Sequence, residues 1–116
     1  MKKFQLHDYM VEPKGKIAKR VIFKDNNVLA FVLNIAKGES LPQHTHFDCS
    51  LMLQVIKGQA KVNVDEQSIM MNESDLVQLD GPEKMSVDNV GETTLNLYVT
   101  ISPLPPNEGY SKDADI

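Results

Sequence analysis

The sequence predicts an all-β fold, a single closed barrel or sandwich, and three observations carry that prediction. Short β-prone runs are broken by Gly, Asn, Asp and Pro at intervals of roughly 8–12 residues, the rhythm of strands joined by tight turns. No stretch of ten or more residues shows a helical period of apolar side chains. The chain has 116 residues, 41% hydrophobic and 24% charged, which fits one globular domain. A domain of that size buries about 65% of its unfolded surface, enough for a core without metal or disulfide staples.

The runs follow one another in order. Lys16 to Lys24 carries Ile17, Val21, Ile22 and Phe23 and ends at the turn-forming Asp25-Asn26-Asn27. Val28 to Ala36 is nearly continuous apolar sequence, and Lys37-Gly38-Glu39 turns the chain into Ser40 to His46, with Pro42 early in that strand. Leu51 to Ile56 is closed by Lys57-Gly58-Gln59, and Ala60 to Val64 alternates apolar and polar. Ser68 to Met71, Leu76 to Leu79, Met85 to Val90 and the alternating Thr93 to Ser102 complete the set, separated by Asp65-Glu66-Gln67, Asn72 to Asp75, Asp80 to Glu83 and Gly91-Glu92. The count is nine or ten strands. Residues 1–102 form the barrel domain. Residues 103–116 form a Pro-rich tail, read either as a polyproline recognition segment or as a cap over a sheet edge that frays into solvent. The basic cluster Lys14 to Arg20 reads as a solvated strand face, and Leu51 to Ile56, apolar on both faces, should be covered on both sides.

Charge and cysteine content narrow the function. Twelve basic and sixteen acidic side chains give a net charge of −4 and a pI near 5.3. With no basic stripe and no helix-turn-helix segment, a nucleic-acid partner is not expected. The single cysteine, Cys49, excludes an intrachain disulfide framework and a thiolate zinc site, and reads as a half-buried inert thiol. No apolar run reaches the roughly 18 residues of a membrane span, so no membrane partner is expected. No apolar segment follows Lys2 and Lys3, so no secretory leader is predicted and the expected location is the cytoplasm.

Chemistry concentrates at His44 and His46. On a strand, residues two apart point to the same side, so both imidazoles face one direction. Such a pair is half of a site for a first-row metal, or a neutral pair that hydrogen-bonds an organic ligand or ordered water. The surrounding spacing is Gly-x5-His-x-His-x11-Gly from Gly38 through His44 and His46 to Gly58. It resembles the first motif of the cupin family, and Leu51 stands where cupins carry glutamate. The second cupin motif has a shadow over residues 74–89, with Ser74 at its first glycine, Asp80 at its proline, Pro82 at its second glycine, Met85 at its histidine and Asn89 at its closing asparagine. The fifteen residues between the motifs match the short spacing of small bacterial cupins. The resemblance implies a double-stranded β-helix, or jelly roll, with its metal site worn down to two ligands.

His44, His46, Leu51 and Met85 are therefore the expected ligand-binding residues, and His44 and His46 the expected metal ligands. A divalent ion held there would be of Zn, Ni or Cu type, with waters or an exogenous ligand completing its shell; no nucleotide cofactor is called for. Asp48 and Asp80 are read as loop or turn acids. The primary expectation is a small-molecule-binding barrel, and the alternative is a metal-dependent cupin enzyme of dioxygenase, isomerase or decarboxylase type; a purely structural module is the third. The resemblance also implies a homodimer. The unbroken run Val28 to Leu33 supports it, because an outward apolar face needs cover.

Overall fold

The computed structural model describes residues 1–46 and 48–116. Ten strands run through the described residues: β1 (Ile17–Lys24), β2 (Leu29–Ile35), β3 (Ser40–His44), β4 (Ser50–Lys57), β5 (Ala60–Val64), β6 (Gln67–Met71), β7 (Leu76–Asp80), β8 (Met85–Asn89), β9 (Leu95–Ser102) and β10 (Ala114–Asp115). They form a six-stranded sheet in the order β10-β1-β2-β9-β4-β7 and a four-stranded sheet in the order β3-β8-β5-β6. Every ladder is antiparallel. This is the all-β architecture that the strand rhythm predicts, in the jelly-roll form that the motif resemblance implies. Among the described residues no helix is long and apolar enough to cross a membrane.

Period-two alternation builds the core. Leu29, Phe31, Leu33 and Ile35 of β2, Leu51, Leu53 and Val55 of β4, and Leu95, Leu97, Val99 and Ile101 of β9 meet Ala60, Val62, Met85 and Val87 of the opposing sheet in one buried cluster. Asn89, at the end of β8, links the two sheets. Its Nδ2 donates to the carbonyls of Ile35 (3.0 Å) and Thr93 (2.9 Å), and its Oδ1 accepts from the Gly91 amide at 3.0 Å. The asparagine aligned with the end of the second motif thus satisfies three backbone groups where the sheets meet.

The outward face of β2 is also buried, and the covering segment belongs to the same chain. A 3-10 turn, Leu6–Tyr9, packs on β1 and β2. Beneath it the Nδ2 of Asn34 donates to the carbonyls of Tyr9 (3.1 Å) and Ala18 (3.0 Å), while its Oδ1 accepts from Asn96 at 2.6 Å. Ala30, Val32 and Asn34 are thus buried within one chain, so the apolar run by itself no longer calls for a second copy. Cover does not extend to β4, whose outward Met52 is 36% exposed. Within one chain the N-terminal segment packs on β1 and β2 and leaves Met52 on the outward side of β4 exposed.

The tail is ordered along the sheet edge. β10 pairs with β1 through Ala18 opposite Asp115 and Lys19 opposite Ala114. The Val21 amide donates to Asp113 Oδ1 at 2.6 Å, and Arg20 forms an ion pair with Asp115 at 2.9 Å. Of the two readings of residues 103–116, the cap over a sheet edge matches this arrangement.

Backbone conformation explains the motif glycines. Gly38 and Gly58 adopt φ of 78° and 102°, a region that side chains with a Cβ enter at a cost. Ser74, at the position of a family glycine, keeps the glycine-like conformation with φ of 74°. Both of its backbone groups are engaged, the amide to Val55 O at 2.8 Å and the carbonyl by Gln54 Nε2 at 3.3 Å, so the chain cannot relax out of it cheaply. Ser74→Gly should therefore raise the unfolding free energy by about 1 kcal/mol, read as a higher urea midpoint at unchanged slope. A lower midpoint would mean that Ser74 is unstrained.

Candidate functional site

Proline shapes the strand that carries the histidines. β3 is an edge strand, where Pro42 is tolerated although it lacks an N–H for the ladder. The register with β8 slips between Leu41 and His44, a bulge at the proline. The bulge lets the His44 ring fold back onto its own strand, where Nδ1 lies 2.8 Å from the Pro42 carbonyl. A carbonyl only accepts, so Nδ1 carries a proton and donates it to this contact. His46 lies beyond the strand, and its amide donates to Gly81 O at 2.7 Å, which anchors the loop to the β7–β8 turn.

The two imidazoles stand 4.7 Å apart, edge to face, and line one cavity of about 310 Å³. Its walls come from both sheets and the tail: Lys19 of β1, Phe31 and Leu33 of β2, Leu41 to His44 of β3, His46, and Tyr110. The cavity sits at the seam where β1 and β2 of one sheet face the edge strand of the other. Tyr110 closes it, its ring 5.6 Å from that of His46 and its hydroxyl donating to Thr45 O at 3.4 Å. A larger hollow of about 650 Å³ is lined by Asp65, Glu66, Gln67, Glu83 and Lys84, largely exposed turn residues.

Burial sets the charge state of the site. Loss of solvation pushes His46 down to about 4, helped by His44 and the Lys19 ammonium nearby. Burial likewise pulls Lys19 down to about 8, against the attraction of Asp113. The Lys19 ammonium donates to the Tyr110 carbonyl and lies 4.5 Å from the centre of the Phe31 ring. At neutral pH the cavity thus holds a neutral His46 beside a mostly protonated lysine.

Among the residues singled out from sequence, His44 and His46 share this cavity, whereas Leu51 and Met85 do not line it. Met85 is the ladder partner of His44, yet its side chain is 2% exposed and packs in the core; Leu51, also 2% exposed, pairs with Leu79 and Ile101. Both apolar side chains gain more from the core than from a half-wet pocket. Asp48 and Asp80 are exposed, and Cys49 is partly buried with its thiol pushed up by desolvation and by Asp48. Among the described residues no three His, Cys, Asp or Glu side chains group as a metal site. A divalent ion would find two imidazoles and no third donor of that kind.

Lys19 and Tyr110 are the site residues that the sequence reading missed. Sequence alone puts Lys19 on a solvated face; in the structure it is half-buried in the cavity. The signal was present in the alternation of Ile17, Lys19 and Val21, which puts the lysine on the inward side of β1. Tyr110 had no such signal, because its place depends on the tail's return to β1.

Solved structures similar to this chain share its architecture. An uncharacterised Klebsiella pneumoniae protein with a double-stranded β-helix domain superposes with a TM-score of 0.82 at 16% identity, over 98% of this chain and 96% of that one. An RmlC-like cupin from Desulfovibrio desulfuricans gives 0.79 at 20% identity, over 89% and 97%. A predicted oxalate decarboxylase from Thermotoga maritima gives 0.72 at 20% identity, over 78% and 84%. No protein-family model and no curated protein matches the chain. The fold is that of the cupins.

The charge state has a measurable consequence. The unfolded chain takes up the His46 proton near 6.5, the folded one only near 4, so the unfolded state binds more protons between these values. Stability is unaffected by this group above about pH 6.5 and should fall as the pH drops from about 6.5 towards 4. An imidazole titration by NMR should give His46 a midpoint near 4; a midpoint near 6.5 would put the ring in water.

Proposed function

We propose that this chain, a cupin barrel by fold, is a small-molecule-binding protein whose ligand seats in the seam cavity between β2, β3 and Tyr110. The observation that carries the reading is the lining. Phe31, Leu33, Leu41 and Pro42 give apolar walls, and a few polar groups converge on the same space: both imidazoles, the Lys19 ammonium and Tyr110. An apolar hollow of a few hundred Å³ with a small number of placed polar groups is the usual form of a ligand site. Its volume of about 310 Å³ favours a small ligand.

The second reading, a metal-dependent enzyme using His44 and His46, draws support from the adjacency of the two rings. The donor set argues against a tightly held ion. Two neutral imidazoles leave half of a tetrahedral shell to be supplied from outside the described residues. Leucine offers no donor at the family's glutamate position.

The test uses isotope-labelled, untagged full chain titrated with small aromatic and aliphatic fragments. Resonances of Lys19, Phe31, His44, His46 and Tyr110 should move together, and Tyr110→Ala should weaken binding by about tenfold, the value of one aromatic contact. Fragments that leave these resonances unmoved would overturn the reading. Stoichiometric metal in the untagged protein, lost in His44→Ala and His46→Ala, would favour the enzyme.

A further inference from the structure

Resting on that reading of the cavity, we infer that its ligand is a small organic anion of single charge, a monocarboxylate with an apolar body, and that Lys19 supplies the counter-charge. Among the described residues, Lys19 is the only Lys or Arg side chain lining the cavity. Its ammonium has three donors, and the Tyr110 carbonyl takes one of them. The Phe31 and Tyr110 rings lie 4.5 and 5.7 Å from Nζ. They attract the cation but do not neutralise it.

No carboxylate comes within salt-bridge distance of Lys19 among the described residues, where the ion pairs are Arg20 with Asp115 and Lys37 with Glu92. Asp113, the acid that acts on Lys19, turns one carboxylate oxygen onto the Val21 amide. A half-buried cation facing an apolar hollow is an open half of an ion pair, since charges taken out of water are ordinarily matched. With one cation on the lining, and Asp113 already acting on it, a second negative charge on the guest would find no partner there.

The rest of the lining selects its shape. A carboxylate accepts from two donors at once; His46 lines the same cavity close enough to Lys19 to feel its charge, and its neutral ring has one N–H to give as the second donor. Phe31, Leu33 and Leu41 then face the remainder of the guest, which has to be apolar to displace water from them.

The probes are benzoate and its neutral isostere benzamide, titrated into the full-length chain and followed by heteronuclear NMR and calorimetry. Benzoate should bind at least about tenfold more tightly than benzamide, as expected of a charge-assisted contact, with shifts at Lys19, His46 and Tyr110. Lys19→Met, which keeps the length of the side chain, should erase that preference, and Lys19→Arg should restore most of it. Equal binding of the two probes to the wild-type chain, or a preference that survives Lys19→Met, would overturn the anion and leave the cavity reading standing. If neither probe moves a cavity resonance, the cavity reading fails and the anion with it.

Discussion

Among the described residues no strand of the six-stranded sheet is laddered to a strand of the four-stranded one. What holds the halves together is the apolar layer between them, with Asn89 as a polar link at one end. Everything else follows from that constraint. Side chains, not backbone bonds, must close the seam where edge strand β3 faces β1 and β2. Large apolar groups close most of it. Where β1 presents a lysine, and β3 and the loop after it each present a histidine, packing is incomplete and a cavity is left.

The same incompleteness accounts for the tail. An edge strand such as β1 exposes unpaired backbone groups that invite another strand. β10 occupies two positions of that edge, and the preceding segment carries Tyr110 over the cavity mouth. Lys19 connects the two roles. Its backbone pairs with Ala114 while its ammonium reaches the Tyr110 carbonyl, so one residue ties edge protection to the wall of the site. On the other side of the sheet, Asn34 and Asn96 make a buried polar contact under the Leu6–Tyr9 turn, and the Asn34 bond to the Tyr9 carbonyl fixes the N-terminal segment against β2.

Much of this was legible in the sequence because alternation is local. β5 and β9 read as strands directly, and the spacing around His44 and His46 resembles a cupin motif, which implied the jelly roll; Gly38 and Gly58 of that motif sit at turns with positive φ. Ser74 shows that the motif constrains conformation even where its residue type is lost. The site was only half legible. His44 and His46 lie close in sequence, and the end of β3 with the loop just after it brings them together. Lys19, Phe31 and Tyr110 come from three distant segments and meet only through sheet pairing. Leu51 and Met85 mark where alignment misleads: a position that faces inward need not face the cavity, because most of the inward face is core.

Occupation of the seam cavity by a ligand is tested most directly by intermolecular nuclear Overhauser contacts. A bound aromatic guest should show contacts from its ring protons to the Phe31 ring and to the Leu33 and Leu41 methyl groups, walls contributed by both sheets. Contacts to the turn hollow at Asp65 and Glu83 instead would place binding elsewhere and contradict a ligand site at the seam.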